Sequence, residues 1–474
     1  MPHGRHGPLG DAGRANALLP RPVRRCGAFR MRSYDGDPVT NRDDLDLTEP
    51  PGPATIGPEP TSLWRNGDFL RFWTGESLSL LGTQVTNLAL PLTAIYAFGA
   101  SDEQIGLLRF LQLAPYLGLA LLFGVWVDRS RRKPIMLAAN LTRMVLLLLI
   151  PLLYWRDALS MTPLLVIACL IGCASVLFDV SWMSYVPTLV KEPTMYVEAN
   201  AKMGISTSTA EVAGPGLAVL LVAALTAPIV LISQVLTYLV SVVTLLLIRT
   251  RESPPPPPGR ARHLGRELRD GLTWVLRNPI LRWLTFVGFC CNFSMITVWT
   301  MFLLYGTRDL QLASTTLGAI TTASLGGLAG AVISRKVIER FRIGHVYLVS
   351  QSALLLGPAL IAAAAGPRPL MVGMFILSFF TTHLGLGVAG VVVVSLQQTS
   401  TPQWMMGRMT AVFRTLLFGG GALGGLFAGM LSGAIGAHNA LTVAAVGSAA
   451  VVVALVLSPV SRLRALPAPV RTTP

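Results

Sequence analysis

Charged residues are scarce here. They make up 13% of 474 residues, against about 25% in an ordinary soluble domain. That scarcity excludes a water-soluble globular protein. Acidic residues are the scarcer sign, 23 against 38 Lys and Arg, for a net charge of +15. The basic residues fall on several separate short loops and in tails, so they build no continuous nucleic-acid footprint. Cysteine is sparse too. Cys26, Cys169, Cys173, Cys290 and Cys291 form no disulfide framework, and the last four sit in apolar runs as small core residues. Cys169 and Cys173 share a helical face, but no His or carboxylate completes a ligand set, so no metal is expected. No GxxxxGK[ST] stretch occurs, which excludes an ATP-cradling loop. The chain also lacks a sizeable soluble domain and a converging catalytic group, so it does not read as an enzyme or receptor, and no cofactor is expected.

Apolar residues are plentiful. They make up 52% of the chain, and the mean hydropathy is +0.58. A hydrocarbon core about 30 Å thick needs about 20 apolar residues of helix. Such runs fall at 69–97, 104–127, 134–154, 161–185, 197–223, 227–248, 280–305, 314–335, 345–364, 369–393, 407–433 and 438–458. Runs this long and continuous span only as helices. The fold class expected is an all-α membrane protein with twelve transmembrane helices in two six-helix bundles.

Five parts follow along the chain. Residues 1–62, rich in Pro, Gly, Arg and Asp, read as a disordered extension, within which Met31 is a second possible start. Residues 63–249 form the first bundle and 279–462 the second. Between them, 250–278 is a basic linker: Pro254–Pro258 stiffens it, and Leu264, Leu268, Leu272 and Val275 give it an amphipathic helix expected on the membrane surface. Residues 463–474 read as a disordered tail.

With the N-terminus cytoplasmic, the cytoplasmic loops hold Arg129, Arg131, Arg132, Lys133, Lys191, Arg260, Arg262, Arg266, Arg269, Arg340 and Arg342. The opposite side holds Arg156, Arg308 and Arg368. Positive charge stays inside. Both termini are therefore expected in the cytoplasm of a cell bearing this multi-pass protein in its plasma membrane.

The loop between spans 2 and 3 reads GVWVDRSRR. Asp128 ends a helix whose C-terminus is already partly negative, so it calls for a positive partner. Gly124, Asp128, Arg129, Arg131 and Arg132 resemble the loop signature of the major facilitator superfamily. Arg131 replaces the usual glycine, as in the branch of drug, macrolide and enterobactin exporters. FWTGESLSLLG in span 1, VPTLVKEPTMYVEANAKM with Asn200 before span 5, and STPQWMMGRMTAVFR before span 11 extend the resemblance over about 64–460. EANAKM and MGRMTAV echo each other at equivalent places in the halves, which supports a duplication. The resemblance implies that Asp128 faces the start of span 11 near Gly407 and Arg408, a cytoplasmic latch. It also implies a monomer.

Ionisable residues inside the membrane are functional suspects. Glu76, Arg143 and Asp179 lie about 10–15 Å from the cytoplasmic ends of their helices at 1.5 Å per residue, and Glu211 lies near the midplane. The first three suggest one polar network, either a structural Arg143–Asp179 ion pair or a proton-coupling site. Glu76 and Glu211 are the best proton carriers, since dry surroundings favour a neutral carboxyl that can exchange its proton as a cavity changes sides. The arginine that many related proton antiporters carry in span 4 is missing. His383 in span 10 is either a packing residue or a titrating one. Gly214, Pro215 and Gly216 resemble the exporters' span 5 signature and mark either a functional kink or a packing notch. Trp299 is a candidate cavity residue among tryptophans otherwise expected at the interfaces.

These readings converge on a secondary transporter that exports a small-molecule substrate by proton antiport, driven by the proton gradient. The substrate expected is a hydrophobic or amphipathic compound, neutral or cationic, leaving through a mostly apolar cavity. A facilitator or importer of a small polar nutrient is the alternative.

Overall fold

The structure, a computed structural model, describes residues 63–190, 195–225, 227–252, 264–465 and 467. The expected extension at 1–62, the Pro254–Pro258 spacer and most of the tail lie outside the described residues. All regular structure among those described is helical.

The first half runs α1 (Gly67–Phe98), α2 (Asp102–Leu113), α3 (Pro115–Asp128), α4 (Arg132–Trp155), α5 (Met161–Leu189), α6 (Tyr196–Ala224) and α7 (Ala227–Leu247). Helix α8 (Leu264–Arg277) lies in the linker. The second half runs α9 (Pro279–Leu304), α10 (Ser314–Thr321), α11 (Leu325–Arg340), α12 (Ile343–Ala362), α13 (Arg368–Ser400), α14 (Gln403–Ile435) and α15 (Ala437–Leu457).

Among the described residues, eleven helices are long and apolar enough to cross a membrane. The run expected at 104–127 differs. It is carried by α2 and α3, of 12 and 14 residues, each too short by itself. Pro115 causes the break: it has no N–H, and its ring crowds the carbonyl four residues back, so Ala114 falls between two helices. Span 8 is also interrupted, by a 3-10 turn at Thr322–Ser324. Helices α13 and α14 each have 33 residues, about 50 Å, and overshoot the hydrocarbon core.

Helix packing repeats between the halves. α1 packs on α7 and α6 as α9 packs on α15 and α14. α4 packs on α5 and α7 as α12 packs on α13 and α15, and α3 meets α5 as α11 meets α13. Two six-helix bundles with one internal plan result. They meet where α2 crosses α14 and where α6 crosses α10 and α11.

Polar ties set the face that carries the linker, called here the linker side. Asn66 caps α1 by accepting from the Phe69 N–H at 3.0 Å, and its amide donates to the Leu189 carbonyl at 2.9 Å. Asp68 accepts from the N–H of Thr250 at 2.8 Å and of Arg249 at 3.1 Å. Glu252 accepts from the N–H of Arg132 at 2.8 Å and of Lys133 at 2.9 Å. A carboxylate thus caps α4 at its N-terminus, where the helix dipole favours it. Leu463 accepts from the Gly344 N–H at 3.0 Å, which ties the chain after α15 to the start of α12.

Helix α8 packs on α14 and α9. Val275 is buried in the core of the second half, Gly271 meets Arg408, and Leu272 and Leu276 stay exposed. The sequence suggests a helix lying on the membrane surface. The structure docks one face of it on the second bundle.

Candidate functional site

Between the halves lies a cavity of about 420 Å³, a size that suits a small organic molecule. Span 1 lines it with Thr83, Gln84, Thr86 and Asn87, and span 2 with Arg109, Gln112 and Tyr116. Glu211 and Pro215 enter from α6, Trp299 from α9, and Thr382 and His383 from α13. Its wall is mostly apolar, as expected, with polar side chains set into it. Amides and hydroxyls are numerous. Its charged members are one carboxylate, Glu211, and one guanidinium, Arg109.

Arg109 is absent from the site residues read from sequence. The signal was an arginine within the apolar run 104–127. It is 9% exposed. It donates to the Asn87 carbonyl at 2.6 Å and to Gln112 Oε1 at 3.2 Å, and lies 5.8 Å from the Trp299 ring centroid.

Of the ionisable candidates from the sequence, Glu211 and His383 reach the cavity, as do Pro215 of the span 5 motif and Trp299. His383 Nδ1 is 2.8 Å from the Phe379 carbonyl, and the two rings stack. Glu211 is exposed to the cavity space, and its backbone carbonyl accepts from Ser324 of span 8 at 2.9 Å.

Glu76, Arg143 and Asp179 form a separate cluster nearer the linker side. Glu76 is buried, and one of its carboxyl oxygens has no hydrogen-bond partner. Arg143 and Asp179 are near enough to act on it electrostatically. The Arg143–Asp179 ion pair weighed from sequence does not form within 4 Å. Arg143 instead donates to Asn140 and lies between the rings of Phe178, at 4.3 Å, and Tyr238, at 4.5 Å. A buried cation is held well by aromatic faces. Asp179 accepts from the Tyr116 hydroxyl at 2.6 Å. Tyr116 also lines the cavity and stacks on Phe418 of α14 at 4.3 Å. One side chain therefore touches the cavity, the acidic cluster and the opposite half. No reading of sequence flagged Tyr116, because a tyrosine in a span carries no charge signal.

The cavity is closed on the side away from the linker, the far side. Asp102 meets Arg308 and Ser432 there, and Arg308 also donates to the Ala100 carbonyl. Below them the backbones of α2 and α14 touch. A Cβ on Gly429 would lie 2.7 Å from Gly106 Cα and 2.6 Å from the Asp102 carbonyl. Only glycine fits at that crossing. Toward the linker side, contact between spans 2 and 11 thins: α3 packs much less on α14 than α2 does.

Residues 72–425 match the family model of the Major Facilitator Superfamily. The chain belongs to that superfamily. Solved structures agree in fold. The nucleoside transporter NupG is 13% identical, with TM-score 0.65, covering 82% of this chain and 98% of that one. A bacterial homologue of the iron transporter ferroportin, inward-facing, is 16% identical with TM-score 0.65, covering 84% and 99%. A bacterial homologue of the human lysosomal transporter Spinster, inward-facing and unoccupied, is 16% identical with TM-score 0.63, covering 85% and 98%. No curated protein matches by sequence. The chain is thus a multi-pass membrane transporter for a small molecule, and its architecture is that of secondary transport by alternating access.

The signature loop of this facilitator-superfamily transporter lies on the linker side. Asp128 ends α3, and its side chain lies outside the described residues. Arg129 follows as the cap, and Arg131 precedes α4. Arg408, named from sequence as the partner region for Asp128, lies 3.6 Å from Asp270 of α8. A Cβ on Gly124 or Gly407 would meet nothing within 4 Å. In span 5, α6 stays helical through Pro215. A Cβ on Gly214 would fall 2.3 Å from Gln84 Cβ, and one on Gly216 3.2 Å from Thr322. These glycines let α6 approach α1 and span 8.

Proposed function

We propose that the chain is a proton-coupled exporter of small amphipathic organic compounds in the cell membrane, acting as a monomer. The resemblance to drug, macrolide and siderophore exporters supports the direction. The positive-inside pattern supports cytoplasmic termini and a cytoplasmic linker. The linker side is then the cytoplasmic mouth, and the closed far side is the outer gate.

One observation carries the reading: Tyr116 lines the cavity and donates to Asp179. A change in the protonation of Asp179, or in its neighbour Glu76, alters the bond that positions Tyr116. Movement of Tyr116 alters both the cavity wall and the stack on Phe418 across the seam. Proton state and substrate state thus act on one joint. A ligand shifts such an equilibrium only by its differential affinity for the two states. Glu211, exposed in the cavity, is the second proton carrier in this scheme, and its Ser324 tie sits at the crossing of spans 5 and 8.

Uptake into everted membrane vesicles tests this. With the vesicle interior acidified, substrate should accumulate, and an uncoupler should abolish accumulation. Equal uptake with and without the pH difference would overturn proton coupling. The polar lining of Gln84, Asn87, Gln112 and Thr382 favours a second reading, import or facilitated passage of a small polar nutrient. Right-side-out vesicles that accumulate substrate while everted ones do not would establish that reading instead.

A further inference from the structure

The reading above leaves the charge of the substrate open, and Arg109 bears on it. We infer that Arg109 is a substrate-binding residue that receives a carboxylate, so the transported compound is a monoanion or a zwitterion. This inference rests on the cavity being the substrate site. It goes further by naming the recognised group.

Arg109 is nine-tenths buried and lines the cavity. Guanidinium carries five N–H donors. Those with partners among the described residues go to the Asn87 carbonyl and to Gln112 Oε1, and both acceptors are uncharged. No described carboxylate lies within 4 Å of it. Unlike Arg143, which lies against two rings at 4.3 and 4.5 Å, Arg109 has one ring at 5.8 Å and two neutral hydrogen bonds, so an anion in the cavity would complete its charge. The two neutral bonds use two of the five donors, and Arg109 lines the cavity, so the remaining donors are available to a ligand there. No Arg109 nitrogen is among the buried atoms lacking a partner.

The geometry favours a carboxylate over a phosphate. A single planar fork matches two carboxylate oxygens. A dianionic phosphate would need a second permanent cation, and among the described residues the lining has no Lys or Arg besides Arg109. With Glu211 ionised the lining is near neutral, and with Glu211 protonated it carries one positive charge, so a ligand bearing a single carboxylate suits both. The Trp299 ring beside the guanidinium gives the organic body of the ligand an apolar surface. Arg109 sits directly beneath the closed far side: a Cβ on Gly425 would lie 2.7 Å from Arg109 Cβ. A bound carboxylate would therefore touch the half-to-half seam.

The test is binding to purified full-length protein in detergent, with no gradient, so failure of proton coupling cannot mimic failure here. The probes are fluorescent carboxylates of rising size, each paired with its methyl ester. At least one carboxylate should bind about tenfold tighter than its ester, the size of one charged contact. Arg109→Gln should bring the carboxylate to the level of the ester and leave the ester unchanged. Arg109→Lys should restore part of the preference. A structural role would weaken acid and ester alike, and that result overturns the inference. So does equal binding of acid and ester by the unmodified protein, or saturable binding of no carboxylate in the series.

Discussion

At Tyr116 the cavity and the acidic cluster share one side chain. Tyr116→Phe keeps the ring on Phe418 but removes the hydroxyl that meets Asp179. A hydrogen bond to a charged group contributes about 1.5–3 kcal/mol, so gradient-driven transport should fall about tenfold or more. Substrate binding in detergent should change little. Unchanged transport would remove Tyr116 from the coupling. Glu76→Gln makes a different point. Glu76 is buried with an oxygen that has no partner, and an ionised carboxylate there would be destabilising. Replacing it with a neutral group of the same shape should keep or raise the melting temperature. Gradient-driven uptake should vanish while exchange of labelled for unlabelled substrate survives. Loss of folding instead would make Glu76 a structural residue. Sequence located Glu76, Arg143, Asp179, Glu211 and His383 because charge inside an apolar run is conspicuous. It did not give their partners. Arg143 faces Phe178 and Tyr238 from other helices, and no spacing within α4 encodes that choice.

Spans and bundles were readable from run length and from the basic loops, because a bilayer forces both. The breaks were less readable. Pro115 was visible in the sequence, yet prolines also sit inside α1, α4, α5, α6 and α12 without dividing them. The docking of α8 was hidden for a related reason: an amphipathic pattern shows that a face is covered, not by what. The glycine crossing of α2 and α14 makes a prediction of its own. Gly429→Val places carbon where Gly106 and the Asp102 carbonyl already stand. The far side should fail to close, and a thiol reagent that cannot cross membranes should label a cysteine placed at Thr86 of the cavity wall in this variant much faster than in the parent. Equal labelling would show that the crossing is not a gate. At the linker side, Glu252→Ala removes the cap from α4. A cap contributes about 1 kcal/mol, so the detergent melting temperature should drop slightly and transport should persist.

Taken whole, the molecule is two bundles of one plan, joined tightly at the far side and loosely toward the linker. The far side is held by close glycine contacts between α2 and α14 and by the Asp102–Arg308–Ser432 cluster, while α3 packs much less on α14 toward the linker. Rocking of the bundles about the cavity follows from that contrast. Spin labels on Ala158→Cys and Ala365→Cys, both exposed in far-side loops of opposite halves, read it directly once the five native cysteines are replaced. Pulsed dipolar spectroscopy should give two distance populations whose ratio changes with pH, and Glu76→Gln with Asp179→Asn should abolish that change. A single distance, the same at every pH with those acids intact, would contradict the account.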